Sequence, residues 1–269
     1  MISERAKAIK PSATLAISAK VKQLRAKGKD VIDFGIGEPD FDTPEHVKEA
    51  AIKAIKSGFT KYTPPSGIQE LKAAIQEKLR NDGYHYEINE IAVSCGTKHS
   101  LYSIMVALLN PGDEAMVLSP YWVSYGEQIK LVGGRPVVVN TDDKFHPKPE
   151  LIEKTVTKRT KALIVNSPNN PSGSVFSKDE IKGIADLAEA HNLLILSDEI
   201  YEKFTYGKKH FSPAQFAKER TIIINGVSKS YAMTGWRIGY CAGPSDIISA
   251  VDSIQSHSAN PDSIAQKAA

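Results

Sequence analysis

The chain has 269 residues, enough for one large α/β unit with a substantial core or about two ordinary domains. Its 34 Lys and Arg nearly balance 31 Asp and Glu, for a formal net charge of +3 without a basic run, which excludes an electrostatic case for nucleic acid or a membrane surface. No apolar stretch approaches the roughly 20 residues of a membrane helix, no secretory core follows Met1, and the distant Cys95 and Cys241 make neither a disulfide framework nor a metal site; a soluble, cytoplasmic protein is expected.

Residues 15–25 place Ala, Ile and Val on one helical face and Lys on the other, with a stop near Gly28. The turn-rich run from Gly37 to Pro44 predicts entry into a helix, with Thr43 as N-cap and Pro44 as first helical residue. A boundary here divides an N-terminal arm, 1–45, from a larger domain, 46–269. Beyond it, strand and helix alternate. Strands are expected over 91–94, 115–119, 136–140, 161–166, 193–198, 221–225 and 237–242, with helices between most of them, including 97–109 and 178–191. Runs such as Leu193-Leu194-Ile195-Leu196 are apolar throughout, as strands covered on both faces are. The pattern is that of an α/β protein with a mostly parallel seven-stranded sheet covered by helices, whose ligands collect beyond the carboxyl ends of the strands. At the end of the chain, Asn260 and Pro261 read as cap and first residue of a helix that reaches Ala269 without a stop signal.

Five segments at strand ends carry residues of chemical interest. Ser94-Cys95-Gly96-Thr97-Lys98 leads from strand to helix, either as a plain connection or as a phosphate site made of helix-terminal amides. In Ser119-Pro120-Tyr121-Trp122-Val123-Ser124-Tyr125, an aromatic side chain either stacks on a planar ligand or fills core. Asn166 to Gly173 is a tight turn by composition, yet two prolines flank Asn169 and Asn170 and would hold Asn170 as a fixed donor. Asp198 ends an apolar strand and needs a partner, either a pyridinium N–H or a nearby Lys or Arg. Lys229 follows a strand among small, apolar and hydroxylic residues, with Arg237 eight positions on, opening the next strand. That placement suits an imine-forming amine near a bound anion.

Gly37-Glu38-Pro39-Asp40-Phe41, Tyr62-Thr63-Pro64-Pro65-Ser66-Gly67, Asn169-Asn170-Pro171-Ser172-Gly173, Ser197-Asp198-Glu199-Ile200-Tyr201 and Ser228-Lys229 through Gly235-Trp236-Arg237-Ile238-Gly239-Tyr240 occur in the order seen in class I aminotransferases. The chain resembles that family over essentially its whole length, and is most similar to the prokaryotic-type aspartate aminotransferase subgroup. The resemblance implies the large domain of the pyridoxal 5'-phosphate (PLP) transferase fold type I. It also implies amino-group transfer from aspartate, or a similar dicarboxylic amino acid, to 2-oxoglutarate by a ping-pong mechanism.

By resemblance, Lys229 is the Schiff-base lysine and Asp198 the partner of the pyridine nitrogen. Asn170 and Tyr201 match donors to the ring's phenolic oxygen, and Trp122 the aromatic stacked on the ring. Gly96, Thr97, Ser228 and Arg237 match the phosphate cradle. Tyr62 matches a tyrosine reaching the phosphate of a neighbouring subunit, which implies a homodimer with shared sites. Gly37, Lys98, Trp122 and Asn170 correspond to substrate contacts, with Lys98 near the distal carboxylate of aspartate together with Ser12 and Thr14. The family's arginine for the substrate α-carboxylate belongs to a small C-terminal domain beyond Ala269, so the chain is expected to stop before that domain is complete, with impaired turnover. Prephenate aminotransfer and β-lyase chemistry are the alternatives on the same cofactor residues.

Overall fold

The computed structural model describes all residues except Ser12, and the side chains of all the others except Arg5, Ala13, Thr14 and Leu15. Helices α1 (Glu4–Ala8) and α2 (Ala13–Ala26) open the chain, and a segment without regular structure leads to α3 (Glu45–Lys56) and α4 (Gln69–Asn81). Next come β1 (Ile91–Ser94), α5 (Thr97–Leu108), β2 (Glu114–Ser119), α6 (Ser124–Leu131), β3 (Arg135–Asn140), α7 (Pro149–Thr155), β4 (Thr160–Asn166), α8 (Lys178–Ala190) and β5 (Leu194–Asp198). Then β6 (Thr221–Gly226), β7 (Gly239–Ala242), α9 (Ser245–Ser256) and α10 (Ser263–Ala268) complete it.

The seven strands form one sheet in the order β1-β7-β6-β5-β4-β2-β3, with β7 antiparallel to both its neighbours and the remaining pairs parallel. Side chains alternate across it as the two-residue strand period requires. On β4, Ala162 and Ile164 join the cluster containing Leu101 and Ile104 of α5 and Ile129 of α6, whereas Leu163 and Val165 join Ile181 and Ile184 of α8. Both faces are therefore covered, which is why these strands carry no polar alternation. Each fully buried Leu, Ile or Val contributes roughly 1.5–3 kcal/mol relative to exposure. The helices have local signals of their own: Ser177 caps α8 by accepting from Glu180 N, and the Glu180 carboxylate accepts from Ser177 N in return.

Parallel strands place their carboxyl ends at one edge, so the loops after β1, β2, β4, β5 and β6 gather there. Antiparallel β7 begins at that same edge, where Gly239 pairs with Ser94 and Gly226. This topology brings residues 94–98, 120–125, 166–170, 198–201 and 226–239 together.

Three local expectations are corrected. The N-cap of α3 is Pro44, not Thr43, because the Thr43 hydroxyl is engaged elsewhere: it donates to Ala232 O (2.6 Å) and accepts from Trp236 Nε1 (3.0 Å). Arg237 does not open β7. It sits two residues before that strand in the left-handed region (φ 60°), after a 3-10 turn over Thr234–Trp236. The last helix is capped by Asp262, which accepts from Ala265 N at 2.7 Å, rather than by Asn260 and Pro261. An aspartate in that position satisfies an otherwise orphaned helix amide.

Thr43 thus ties the N-terminal segment to the loop that follows Lys229. Thr43→Val keeps the shape but leaves a carbonyl and an indole N–H without this buried partner, so it is expected to destabilise the protein by about 1–3 kcal/mol. The midpoint of urea unfolding at unchanged slope checks this.

Candidate active site

Asp198 is the chemical centre of the strand-end edge. Its side chain is buried at the end of β5, where Oδ2 accepts from the Tyr125 hydroxyl at 2.7 Å and Oδ1 accepts from Ile200 N at 3.3 Å. Asn166 Nδ2 donates to the Asp198 carbonyl (2.9 Å), and Asn166 Oδ1 accepts from Asn170 N (2.7 Å), which locks the loop after β4 to the end of β5. Burial pushes the Asp198 carboxyl up to about 6, and the charge of Glu199 adds to that rise, while Tyr125 and the Ile200 amide oppose it. Neither Lys nor Arg pairs with Asp198 among the described residues. Of the two partners open from sequence, the local cation is not there.

Around this carboxylate, Asn170 Nδ2 donates to the Tyr201 hydroxyl at 3.3 Å, placing two polar groups side by side. Burial raises the Tyr201 hydroxyl, and so does the Asp198 charge, so it remains a donor. Trp122 is partly buried and meets Tyr125 edge-on, with ring centroids 5.4 Å apart and planes at 87°. Lys98 is exposed, its ammonium 5.1 Å from the Trp122 ring centroid. That contact is a cation–π arrangement.

Lys229 lies in the loop after β6, half-buried, and its ammonium donates to the Gly37 carbonyl at 2.5 Å. Burial lowers its pKa; Glu38 opposes the shift, and Arg237 and Lys98 deepen it. An amine so placed loses its proton more readily than a surface lysine and is the better nucleophile and base. Gly37 itself meets Lys229 through its carbonyl, and the Thr234 hydroxyl donates to the Glu38 carboxylate, so the 37–43 segment straps the lysine loop.

The anion cradle is built by close packing. Gly96 caps α5 at φ 81°, and a Cβ there would lie 2.3 Å from Arg237 Nη2. A Cβ on Gly239 would lie 2.3 Å from Thr97 N and 2.6 Å from Gly96 C, so the lack of side chains lets β7 reach the start of α5. The first two amides of α5, Thr97 and Lys98, have no intrahelical acceptor, whereas His99 N already donates to Gly96 O at 2.9 Å; the Arg237 guanidinium lies against this turn, anchored by Nη1 donating to Thr234 O at 2.7 Å. Ser228 is buried in the neighbouring loop.

This arrangement fits PLP on three counts. A buried carboxylate without a local cation faces the need of a ring N–H, a basic amine stands near, and helix amides with a guanidinium suit a phosphate. Arg237 also borders a cavity of about 720 Å³ shared with Glu38, Thr43, Cys95 and Trp236. Lys229 and Asp198 are not in its wall, so the site is placed by its chemistry and not by that volume.

Some expected site residues lie apart or outside description. Tyr62 is fully exposed and lines, with Lys61 and Asn260, a second depression whose wall contains neither Asp198 nor its hydrogen-bond partners. Ser12 and the Thr14 side chain lie outside the described residues. Sequence reasoning passed over Tyr125 as a carboxylate partner and Asn166 as the clamp of Asn170. The signal for Tyr125 was an aspartate ending an apolar strand, which demands a donor but does not say from where. Among the described residues, Glu199, Glu202 and His210 come within metal-ligand spacing. Their charges are met otherwise, by Lys78 at 2.7 Å from Glu202 and by His210 at 3.2 Å from Glu199.

A family model described as aminotransferase class I and II matches residues 29–269. The chain is 52% identical to the aspartate aminotransferase of Geobacillus stearothermophilus, with 100% of this chain and 70% of that protein covered. It is 50% identical to the aspartate/prephenate aminotransferase of Thermus thermophilus, with 98% and 70% covered. The structure of Thermus thermophilus aspartate aminotransferase with maleate superposes with a TM-score of 0.98 at 50% identity, covering 100% of this chain and 71% of that one. A lysine of lowered pKa, a buried aspartate paired with no cation among the described residues and a glycine-built anion cradle on one sheet edge are thus set within a matched family over nearly the whole sequence, and the chain belongs to the class I and II aminotransferases as a PLP-dependent enzyme.

Proposed function

We propose that the enzyme moves the amino group of aspartate, or of a similar dicarboxylic amino acid, to 2-oxoglutarate in two ping-pong half-reactions. The observation that carries this reading is the Lys98 ammonium above the Trp122 ring, a cation close enough to the Lys229 amine to depress its pKa. A second substrate carboxylate would find its counter-charge there. The names of the relatives, aspartate and aspartate/prephenate aminotransferase, support the same substrate class.

When bound, PLP supplies an electron-accepting ring that stabilises charge developing at the substrate Cα. Lys229 Nζ takes the Cα proton and returns it, acting in turn as general base and general acid. With the cofactor in place, Asp198 would hold the ring N–H, Asn170 and Tyr201 would donate toward the ring's phenolic oxygen, and Trp122 would pack on the ring. Gly96, Thr97, Ser228 and Arg237 would take the phosphate, while Gly37 would contribute a backbone contact to the substrate carboxylate. Residues 1–45 are an arm on the PLP-binding domain, 46–269. Exposed Tyr62 serves the phosphate of a second subunit in a homodimer with shared sites. Two free cysteines suit a cytoplasmic setting.

With the PLP-loaded full-length protein, aspartate added alone is expected to convert the visible lysine-linked band to the amine form, and 2-oxoglutarate to restore it. Conversion by monocarboxylic or aromatic amino acids but not by aspartate would refute the assignment. Preferential reversal by prephenate would shift the acceptor to prephenate, and pyruvate plus ammonia from a thiol amino acid would indicate a lyase.

A further inference from the structure

We propose that Tyr125 is a positioning residue of the transfer reaction, holding Asp198 ionised so that the proton shared with the cofactor's ring nitrogen rests on the ring. The inference rests on the pairing of Asp198 with that nitrogen. Its own basis is the contact between the Tyr125 hydroxyl and Asp198 Oδ2 at 2.7 Å, in a site where both side chains are almost completely buried. A hydrogen bond to a charged acceptor is among the stronger ones, and low polarity around it strengthens it further.

The direction of the effect follows from what surrounds the carboxylate. Burial and the charge of Glu199 both favour the neutral acid; the Tyr125 hydroxyl and the Ile200 amide favour the anion, and the Tyr201 hydroxyl responds to the Asp198 charge. Tyr125 is the side-chain donor in this set. Burial, and then Asp198 itself, raise the phenol well above its usual range, so Tyr125 keeps its proton and acts as a fixed donor. Its ring is held in the core cluster with Ile129 and by the edge contact with Trp122. The oxygen that faces Asp198 therefore has little freedom to turn away. Without that donor the carboxylate becomes the stronger base and draws the proton from the ring, which then withdraws electrons less well.

The test uses the PLP-loaded enzyme and Tyr125→Phe. A less electron-poor ring makes the lysine-linked chromophore hold its proton more tightly, so the pH midpoint of its visible band is expected to move upward. The kcat is expected to fall roughly ten- to hundredfold, the size of one hydrogen bond to a charged group. KM for aspartate should change by less than about threefold, since substrate binding is not involved. A purely structural tyrosine would lower stability and leave the midpoint in place, and that result would overturn the proposal. Should Tyr125→Phe not fold, Tyr125→3-fluorotyrosine keeps the shape and strengthens the donor; the midpoint should then move downward, and an unmoved or raised midpoint overturns the proposal. Adding Tyr125→Phe to Asp198→Asn separates the two readings. A large effect of Asp198→Asn with no further midpoint shift supports Tyr125 acting through Asp198. An undiminished shift in that background overturns the Tyr125 proposal, and a silent Asp198→Asn overturns the pairing beneath it.

Discussion

Lys229→Ala is expected to abolish the borohydride-reducible link to PLP and to lower amino transfer by at least about a thousandfold. Positioned acid–base groups contribute roughly 10²–10⁴ in rate, and Lys229 is both the nucleophile that holds the cofactor and the group that moves the Cα proton in the proposed reaction. Its environment argues for that double use. The amine is half-buried, its pKa is depressed by burial and by the charges of Arg237 and Lys98, and it lies in the loop after β6 beside the strap formed by Gly37 and Glu38. Non-covalent retention of PLP should persist, because Gly96, Thr97, Ser228 and Arg237 are untouched. Borohydride reduction followed by peptide mapping checks the first part and equilibrium dialysis the second. Label on any lysine other than Lys229 would show the reading to be wrong.

Asp198→Asn is expected to act in opposite senses on the loaded and cofactor-free protein. In the loaded enzyme it replaces a buried ion pair by a neutral contact, a loss of about 2–5 kcal/mol, or roughly 30-fold to several thousand-fold in turnover and cofactor affinity together. In the cofactor-free protein the sign reverses. The folded Asp198 carboxyl titrates at about 6, against 3.8 for the ordinary group, so between those values the folded state binds more protons than the unfolded one. Stability is then greatest below about pH 4 and falls as pH rises through the folded value; above it the cost reaches on the order of 3 kcal/mol. Asparagine carries no such cost and can still accept from Tyr125. Cofactor-free Asp198→Asn should therefore exceed the parent in stability at pH 8 and lose most of that advantage at pH 4.5, by urea unfolding at both values. An advantage that does not grow with pH would contradict the burial of an unpaired charge.

Much of the architecture was legible because it follows from local rules. All seven strands fall within two residues of the apolar runs that predict them; the inner strands are covered on both faces and have no reason to interrupt such a run, and the half-exposed edge strand β3 keeps its run of valines 137–139. The helices expected over 97–109 and 178–191 end within one residue of the observed 97–108 and 178–190, because their helical pattern is local; the structure adds the Ser177–Glu180 capping box of the second. The order of motifs, with Lys229 and Arg237 eight apart, carried the family. Local rules failed where a side chain had a distant use. Thr43 looks like a cap, but its hydroxyl is worth more to Ala232 and Trp236, 189 and 193 residues away. Arg237 looks like a strand residue, but the turn before β7 rotates it into the left-handed region, so that its guanidinium lies over Gly96.

Sequence by itself determined the sheet, its covering helices, the chemical types at each strand end and the aminotransferase family. It left open what Asp198 meets, because hydrogen-bond partners 73 residues apart are invisible to periodicity and turn chemistry. Tertiary structure decided that question by gathering the carboxyl ends of the parallel strands at one edge and turning β7 back toward it. That arrangement puts Tyr125 on Asp198 with no local cation among the described residues, and Arg237 against the start of α5. The physical reason is that local structure depends on backbone sterics and the spacing of apolar residues, whereas a charge's protonation depends on every group packed around it in three dimensions.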